Sequence, residues 1–386
     1  MKNTTVSALA LTAGLFGGSA AMAEITVGMM LPTSGTYAAL GQEIDAGFML
    51  ALEEAGQQDA VRIVREDTEA RPQVGVQKAR KLVMQDEADV LVGLVSSGVL
   101  GAIRDFVDGS QVPLIVANAG NDEATGDQCS RYITRVSFSN AQVSRPMGEY
   151  LPTAGITKVY TLAPDYAAGR QMIDAFTAEF AEHGGEVVGG EYTPFAQTED
   201  FGPYLTNARA SGAEALFVFY AGGEAISFVN QYGSFGISDS LPLYGTGFLN
   251  SQLYLDAEGD SAIGTVGSLH YVPSLDTPEN EAFVAAYQER HNKLPSEYAV
   301  QGYDAGRVLI EAMATGADDR ESLAEAIPQV SYTGPRGPLE IDPATHNVIQ
   351  NVYIYEIVKE DDRLTQNILA TIENVQDEPH GCTLGG

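Results

Sequence analysis

The stretch EITVGMMLPTSGTYAALGQEIDAGFMLALEEAG, Glu24 to Gly56, decides the fold. It opens with the apolar run Ile25 to Leu31, of strand length, and Pro32, Ser34 and Gly35 then punctuate the chain as a turn. Beyond the turn, Ile44, Phe48, Ala51, Leu52 and Ala55 recur at helical spacing, with Glu43, Asp45, Glu53 and Glu54 largely off that stripe. Gly56 ends the helix. The unit then repeats: a strand over Val61 to Glu66, a helix carrying Val76, Ala79, Leu82 and Val83, and a buried-type strand over Val90 to Val95. Strands that alternate with helices in this way imply a parallel sheet.

The alternation continues with a helix near Val99 to Val107 and a strand over Leu114 to Ala117, and the irregular polar stretch Gly120 to Gly126 marks a boundary. A strand over Val159 to Leu162 opens a second set. Its helices are Arg170 to Glu182, Phe201 to Ala210 and Glu224 to Tyr232; its strands are Glu186 to Tyr192, Ala215 to Tyr220, Leu241 to Gly245 and Thr265 to Tyr271. Pro278 to His291 and Ser296 to Thr315 read as long amphipathic helices, and Ser331 to Ile341 and Val352 to Ile357 as late hairpin strands. The fold class is α/β, with two Rossmann-like lobes built on parallel central sheets.

Upstream of Glu24, Lys2 leads into an apolar stretch, Leu9 to Phe16, and a small-residue run ending Ala21-Met22-Ala23. Residues 1–23 therefore read as a secretory signal peptide. The first cysteine is Cys129, so no acylated cysteine marks the cleavage point. The expected compartment is the periplasm of a Gram-negative cell. The composition, 44% hydrophobic and 19% charged, is that of a globular protein. With 52 acidic against 21 basic residues the net charge is −31, which repels nucleic acid and anionic membranes. Cys129 and Cys382 are the only cysteines, and in an oxidising compartment such a pair is expected to form a disulfide; two unpaired thiols are the alternative.

Catalytic patterns are missing. Gly93-Leu94-Val95-Ser96-Ser97-Gly98 lacks the spacing of a nucleophile elbow, and the five histidines are scattered, with no zinc helix and no phosphate-cradling Gly-x-x-x-x-Gly-Lys. No cofactor or metal is expected. Ligands of open α/β sheets bind beyond the carboxyl ends of strands. There Ser96 and Ser97 precede a helix, where hydroxyls and free N–H groups suit a carboxylate or simply cap the helix. The small residues Ala119 and Gly120, with Asn121, follow the next strand, and Ala221, Gly222, Gly223 and Glu224 form a matching mouth in the second half. With Tyr37, Tyr166, Phe248 and Tyr271 on flanking loops, the cleft is apolar-walled with few polar anchors.

These residues resemble the type I periplasmic binding proteins of the branched-chain amino-acid transport class, particularly the branch for benzoate-like aromatic compounds. The resemblance spans the mature chain. It rests on Pro32-Thr33-Ser34-Gly35-Thr36-Tyr37 through Gly41, Val76 to Val83, Asn118-Ala119-Gly120, Leu162-Ala163-Pro164-Asp165-Tyr166, and Leu275 to Asn280. It implies two lobes that exchange strands, with crossings near 143, 272 and 355: residues 24–143 plus 273–355 form lobe 1, and 144–272 plus 356–386 form lobe 2. It further implies Ser97 as the carboxylate anchor, Ala119 and Asn121 beside it, and Tyr166 as a cover from lobe 2.

Amino-acid binders of this class carry a glutamate after the strand matching Leu241 to Gly245, where this chain has Thr246, Gly247 and Phe248. A ligand ammonium would lack its partner there unless Glu224 or Asp165 substitutes, and a buried unpaired charge is costly. An aromatic or other organic acid is the expected ligand, with a branched-chain amino acid or amide as the alternative. The implied partner is an inner-membrane permease of the ATP-binding-cassette (ABC) class, with the protein a monomer. An extracellular sensor of the same fold and a secreted hydrolase are the rival classes.

Overall fold

The computed structural model describes residues 24–384, so the signal peptide expected over 1–23 lies outside the described residues. The first half alternates β1 (Ile25–Leu31), α1 (Ala38–Glu54), β2 (Val61–Asp67), α2 (Pro72–Met84), β3 (Val90–Gly93), α3 (Ser97–Ser110) and β4 (Leu114–Val116), and ends in β5 (Ile133–Arg135). All five strands run parallel, in the order β2-β1-β3-β4-β5. β1 is buried at every position because it has a strand on each side and helices on both faces. β3 stops at Gly93, two residues short of the expected Val95. Gly93 at φ +127° and Leu94 at φ +68° turn the chain out of the sheet and bring Ser97, at the start of α3, to the strand ends.

The second half runs α4 (Asn140–Thr153), β6 (Lys158–Pro164), α5 (Ala167–Glu182), β7 (Glu186–Thr193), α6 (Gly202–Ala210), β8 (Ala215–Val218), α7 (Gly223–Phe235), β9 (Leu243–Thr246), the one-turn α8 (Leu255–Glu258) and β10 (Val266–Leu269). The chain then forms α9 (Pro278–His291), α10 (Glu297–Ala314) and α11 (Arg320–Ala326), followed by β11 (Ser331–Gly334), β12 (Gly337–Ile341), β13 (Val348–Glu360) and β14 (Arg363–Val375). The second sheet has the order β11-β12-β13-β10-β9-β8-β6-β7, with β14 paired to β13. Strands β7, β6, β8, β9 and β10 are parallel; β11 to β14 join antiparallel.

The expected short strand Val352 to Ile357 is therefore the middle of a 13-residue strand, and β14 had no counterpart in the sequence reading. Asp361 and Asp362, at φ 47° and 62°, form the two-residue link between the paired Glu360 and Arg363. Two consecutive positive φ values are what a tight hairpin requires.

Helix α10 packs on α1 at glycines: a Cβ at Gly47 would strike the Ala299 carbonyl, and one at Gly302 the Ile44 carbonyl. The segments between the two sheets are tied by buried polar groups. Arg336 donates to the carbonyls of Val136 and Ser137 and to Gln350, and pairs with Asp304. Gln142, in the first turn of α4, donates to the carbonyls of Val348 and Val375 at 2.8 and 2.9 Å. Beyond β14, Arg145 holds Asp377 at 2.9 Å, and Cys129 and Cys382 form the expected disulfide. Among the described residues no helix is long and apolar enough to cross a membrane.

Candidate ligand-binding site

The carboxyl ends of β3 and β4 face those of β6 and β8 across a narrow cleft. The first half contributes Ser97, at the start of α3, together with Asn118 and Gly120 beyond β4, Tyr37 just before α1 and Leu40 within it. From the second half come Tyr166, Ala168, Met172, Phe219, Ala221 and Phe248. Phe138, on the segment between β5 and α4, Asn140, which opens α4, and Tyr298 of α10 complete the wall. None of these side chains is ionisable at neutral pH.

Aromatic rings dominate the wall. Phe138 and Phe248 lie 4.8 Å apart between centroids, Phe248 and Tyr298 6.0 Å, and Phe219 meets Phe248 edge-on at 6.2 Å. These tilted and edge-on contacts give the wall both faces and edges of aromatic rings. At the rim the hydroxyls of Tyr37 and Tyr166 share a hydrogen bond of 2.9 Å, joining the two halves across the cleft, and Phe195 stacks on Tyr166 at 4.2 Å. Burial holds both phenols protonated, well above their ordinary range. Gly222, at φ +61°, lies against the Thr36 carbonyl, where a side chain would collide.

The polar end is neutral. Asn140 donates from Nδ2 to Ser97 Oγ at 3.2 Å and to Gln171 Oε1 at 2.7 Å. Asn118 donates to Gln301, whose amide reaches the buried His270 at 3.1 Å. Burial drives His270 well below its ordinary pKa, so it is uncharged. Ser97 and these amides can hold a carboxylate by hydrogen bonds from neutral donors and the free N–H groups of the α3 N-terminus.

Of the residues singled out from the sequence, Tyr37, Ser97, Tyr166, Ala221 and Phe248 line this cleft. Ser96, Ala119, Asn121, Glu224, Gly247 and Tyr271 do not. Ser96 is buried behind the start of α3, its carbonyl accepting from Val99 and Leu100. Ala119 points into the core under α2 and α3, and Asn121 caps a short turn by accepting from Ala124 N at 3.0 Å. Extended backbone alternates its side chains, so the neighbours Asn118 and Gly120 face the cleft instead. Gly247 packs under Tyr355, which donates to its carbonyl at 3.0 Å.

Glu224 is turned behind the tyrosines, accepting from Ala196 N at 3.0 Å, and burial pushes its carboxyl up to about 7. Asp165 pairs outward with Arg170 at 2.6 Å, and Tyr271 donates to Asn280. Phe138, Asn140, Phe219 and Tyr298 escaped the sequence reading. Phe219 lies just past the end of β8 at Val218, inside an apolar run that extends to Tyr220; Phe138 and Asn140 follow the three-residue β5, too short to announce itself, and Tyr298 sits on a helix.

The chain belongs to the periplasmic binding protein family, which it matches over residues 24–362. It is a solute-binding protein of the ABC transporters. It is 33% identical to an ABC-transporter solute-binding protein of R. palustris solved in complex with benzoate, with a TM-score of 0.86 over 93% of this chain and 99% of that one. A solute-binding protein of Rhodopseudomonas palustris BisB5, solved with 3,4-dihydroxybenzoic acid, is 31% identical with a TM-score of 0.87 over 92% and 98%. Leu/Ile/Val-binding protein homolog 6 of Brucella melitensis is 32% identical over 94% of both chains.

Proposed function

We propose that this protein captures a small aromatic carboxylic acid in the cleft, closes over it, and presents it to a membrane permease. It works as a periplasmic monomer and catalyses nothing. Lobe 1 comprises residues 24–143 and 273–355 in this reading, and lobe 2 the remainder of the mature chain. The carrying observation is a ring-walled slot whose polar end holds Ser97 and neutral amides and no ionisable side chain. The benzoate and dihydroxybenzoate bound by the Rhodopseudomonas proteins support the same ligand class.

A leucine-type ligand fits less well, although the Brucella relative carries that name. Its ammonium would need a carboxylate, and both candidates are turned away: Glu224 behind the rim and Asp165 onto Arg170. Leaving that charge unpaired in the closed cleft is costly. The ligand can favour closure only through contacts made in the closed state, and Tyr37 and Tyr166 supply them from opposite sides. Isothermal calorimetry and thermal shift with benzoate, 4-hydroxybenzoate, leucine and valine test the reading. Tighter binding of the aromatic acids is expected; a stronger response to leucine or valine would sink it.

A further inference from the structure

Resting on the aromatic-acid reading, we infer that the cleft selects an acid bearing a hydrogen-bond donor on the carbon next to its carboxyl, a 2-hydroxy-2-aryl acid. The acceptor for that donor is Asn140 Oδ1. The orientation of the Asn140 amide follows from its neighbours. The backbone N–H of Asp122 donates to Gln171 at 3.1 Å, and because a backbone N–H can only donate, the Gln171 atom it meets is the oxygen. Asn140 approaches that same oxygen at 2.7 Å and must present Nδ2 to it. Nδ2 also donates to Ser97 Oγ at 3.2 Å, which leaves the Ser97 hydrogen free to donate to a ligand carboxylate.

Asn140 Oδ1 is thereby turned away from every protein donor among the described residues. The side chain is fully buried and lines the cleft, yet this oxygen has no partner. It lies against Gly120, where any Cβ would collide with it. Buried acceptors are ordinarily paired, and one left open beside a ligand slot is the complement of a ligand donor. Ser97 and Asn140 touch, so the acid and donor they hold are adjacent on the ligand. An ammonium would demand a full negative charge, whereas a hydroxyl is satisfied by an amide oxygen. Gln171 belongs to α5, while Ser97 and Asp122 belong to the first half. Gln171 is therefore a positioning residue, and it fixes the amide only when the two halves meet.

The test is calorimetry of the mature protein with phenylacetate, mandelate, O-methylmandelate and benzoate, repeated with Gln171→Leu and Gln171→Glu. Mandelate should bind about ten-fold or more tighter than phenylacetate and O-methylmandelate, since a site built for a hydroxyl rejects analogues lacking it. Gln171→Leu frees the amide to turn, and the preference should fall to about three-fold or less; Gln171→Glu keeps an acceptor oxygen and should restore it. Binding of benzoate or phenylacetate with no gain for mandelate overturns the inference and leaves the aromatic-acid reading standing. Folded protein that binds none of the four acids overturns both. A mandelate preference that survives Gln171→Leu overturns the positioning role.

Discussion

Raising the pH from 6 to 8 should weaken the fold through two carboxyls that take no part in binding. Glu258 and Glu297 are buried, and among the described residues three of their four oxygens have no hydrogen-bond partner; Glu297 Oε2 accepts from Ser251 at 2.7 Å. Burial, and secondarily the nearby Glu297, push Glu258 from its ordinary 4.5 up to about 9. Burial pushes Glu297 up to about 8 against the Ser251 hydrogen bond. Both pKa values are raised on folding, so the stability they contribute is fully present below 4.5 and is lost as pH rises through 8 to 9. Between pH 6 and 8 the folded chain holds nearly two protons that the unfolded chain has released.

Each such proton costs ~1.4 kcal/mol per pH unit, so the loss over two units is on the order of 5 kcal/mol. Glu224 and Asp122, both raised to about 7, act in the same sense near pH 6. His270 and His346, held neutral by burial, act oppositely, but only below the ordinary histidine value of 6.5. Urea unfolding at pH 6, 7 and 8 and constant ionic strength measures the slope. Glu258→Gln, which mimics the protonated form, should remove about half of it. Unfolding free energy that is flat within ~0.5 kcal/mol across the range would refute the assignment of buried, protonated carboxyls.

Ser97→Ala should weaken aromatic-acid binding by ~1–3 kcal/mol in calorimetry while leaving the melting temperature unchanged, because it deletes one donor to a buried charge. Tyr37→Phe removes the hydroxyl bridge to Tyr166 and should cost ~0.5–1.5 kcal/mol of affinity, seen chiefly as faster ligand release in stopped-flow. Reducing the Cys129–Cys382 bond, which closes a separation of 253 residues, should lower stability by up to ~5 kcal/mol in denaturant melts. Alkylation before and after reductant reports whether both thiols are blocked in periplasmic material.

Elements whose burial is written in local pattern were legible. Pro278–His291 has Pro at its first position and Asn292 in the left-handed conformation just past its end, and both boundaries were read correctly. β14 was not legible: its side chains are mostly exposed or half-buried, so no apolar run announces it, and its turn uses two aspartates in place of the more familiar Asn-Gly. The site was legible to the level of which strand ends meet. The phase within the loop after β4 was not, since both Asn118 and Ala119 are small enough for either side and only the sheet register decides. Tyr298 and Asn140 reach the cleft from segments distant in sequence, brought there by the packing of α10 on α1 and by the return of the chain from β5 into α4.

An anchor made only of neutral dipoles has a kinetic side. The chain carries a net charge of −31, and no cationic side chain lines the cleft to draw an anion inward. A carboxylate ligand must therefore enter against the field of the whole molecule, and added salt, by shortening the Debye length from roughly 30 Å at 0.01 M to about 8 Å at 0.15 M, lifts that barrier. Capture should accelerate with ionic strength while escape from the closed, screened interior stays nearly constant. A receptor of this design gains affinity in brine, where one that relied on an arginine would lose it.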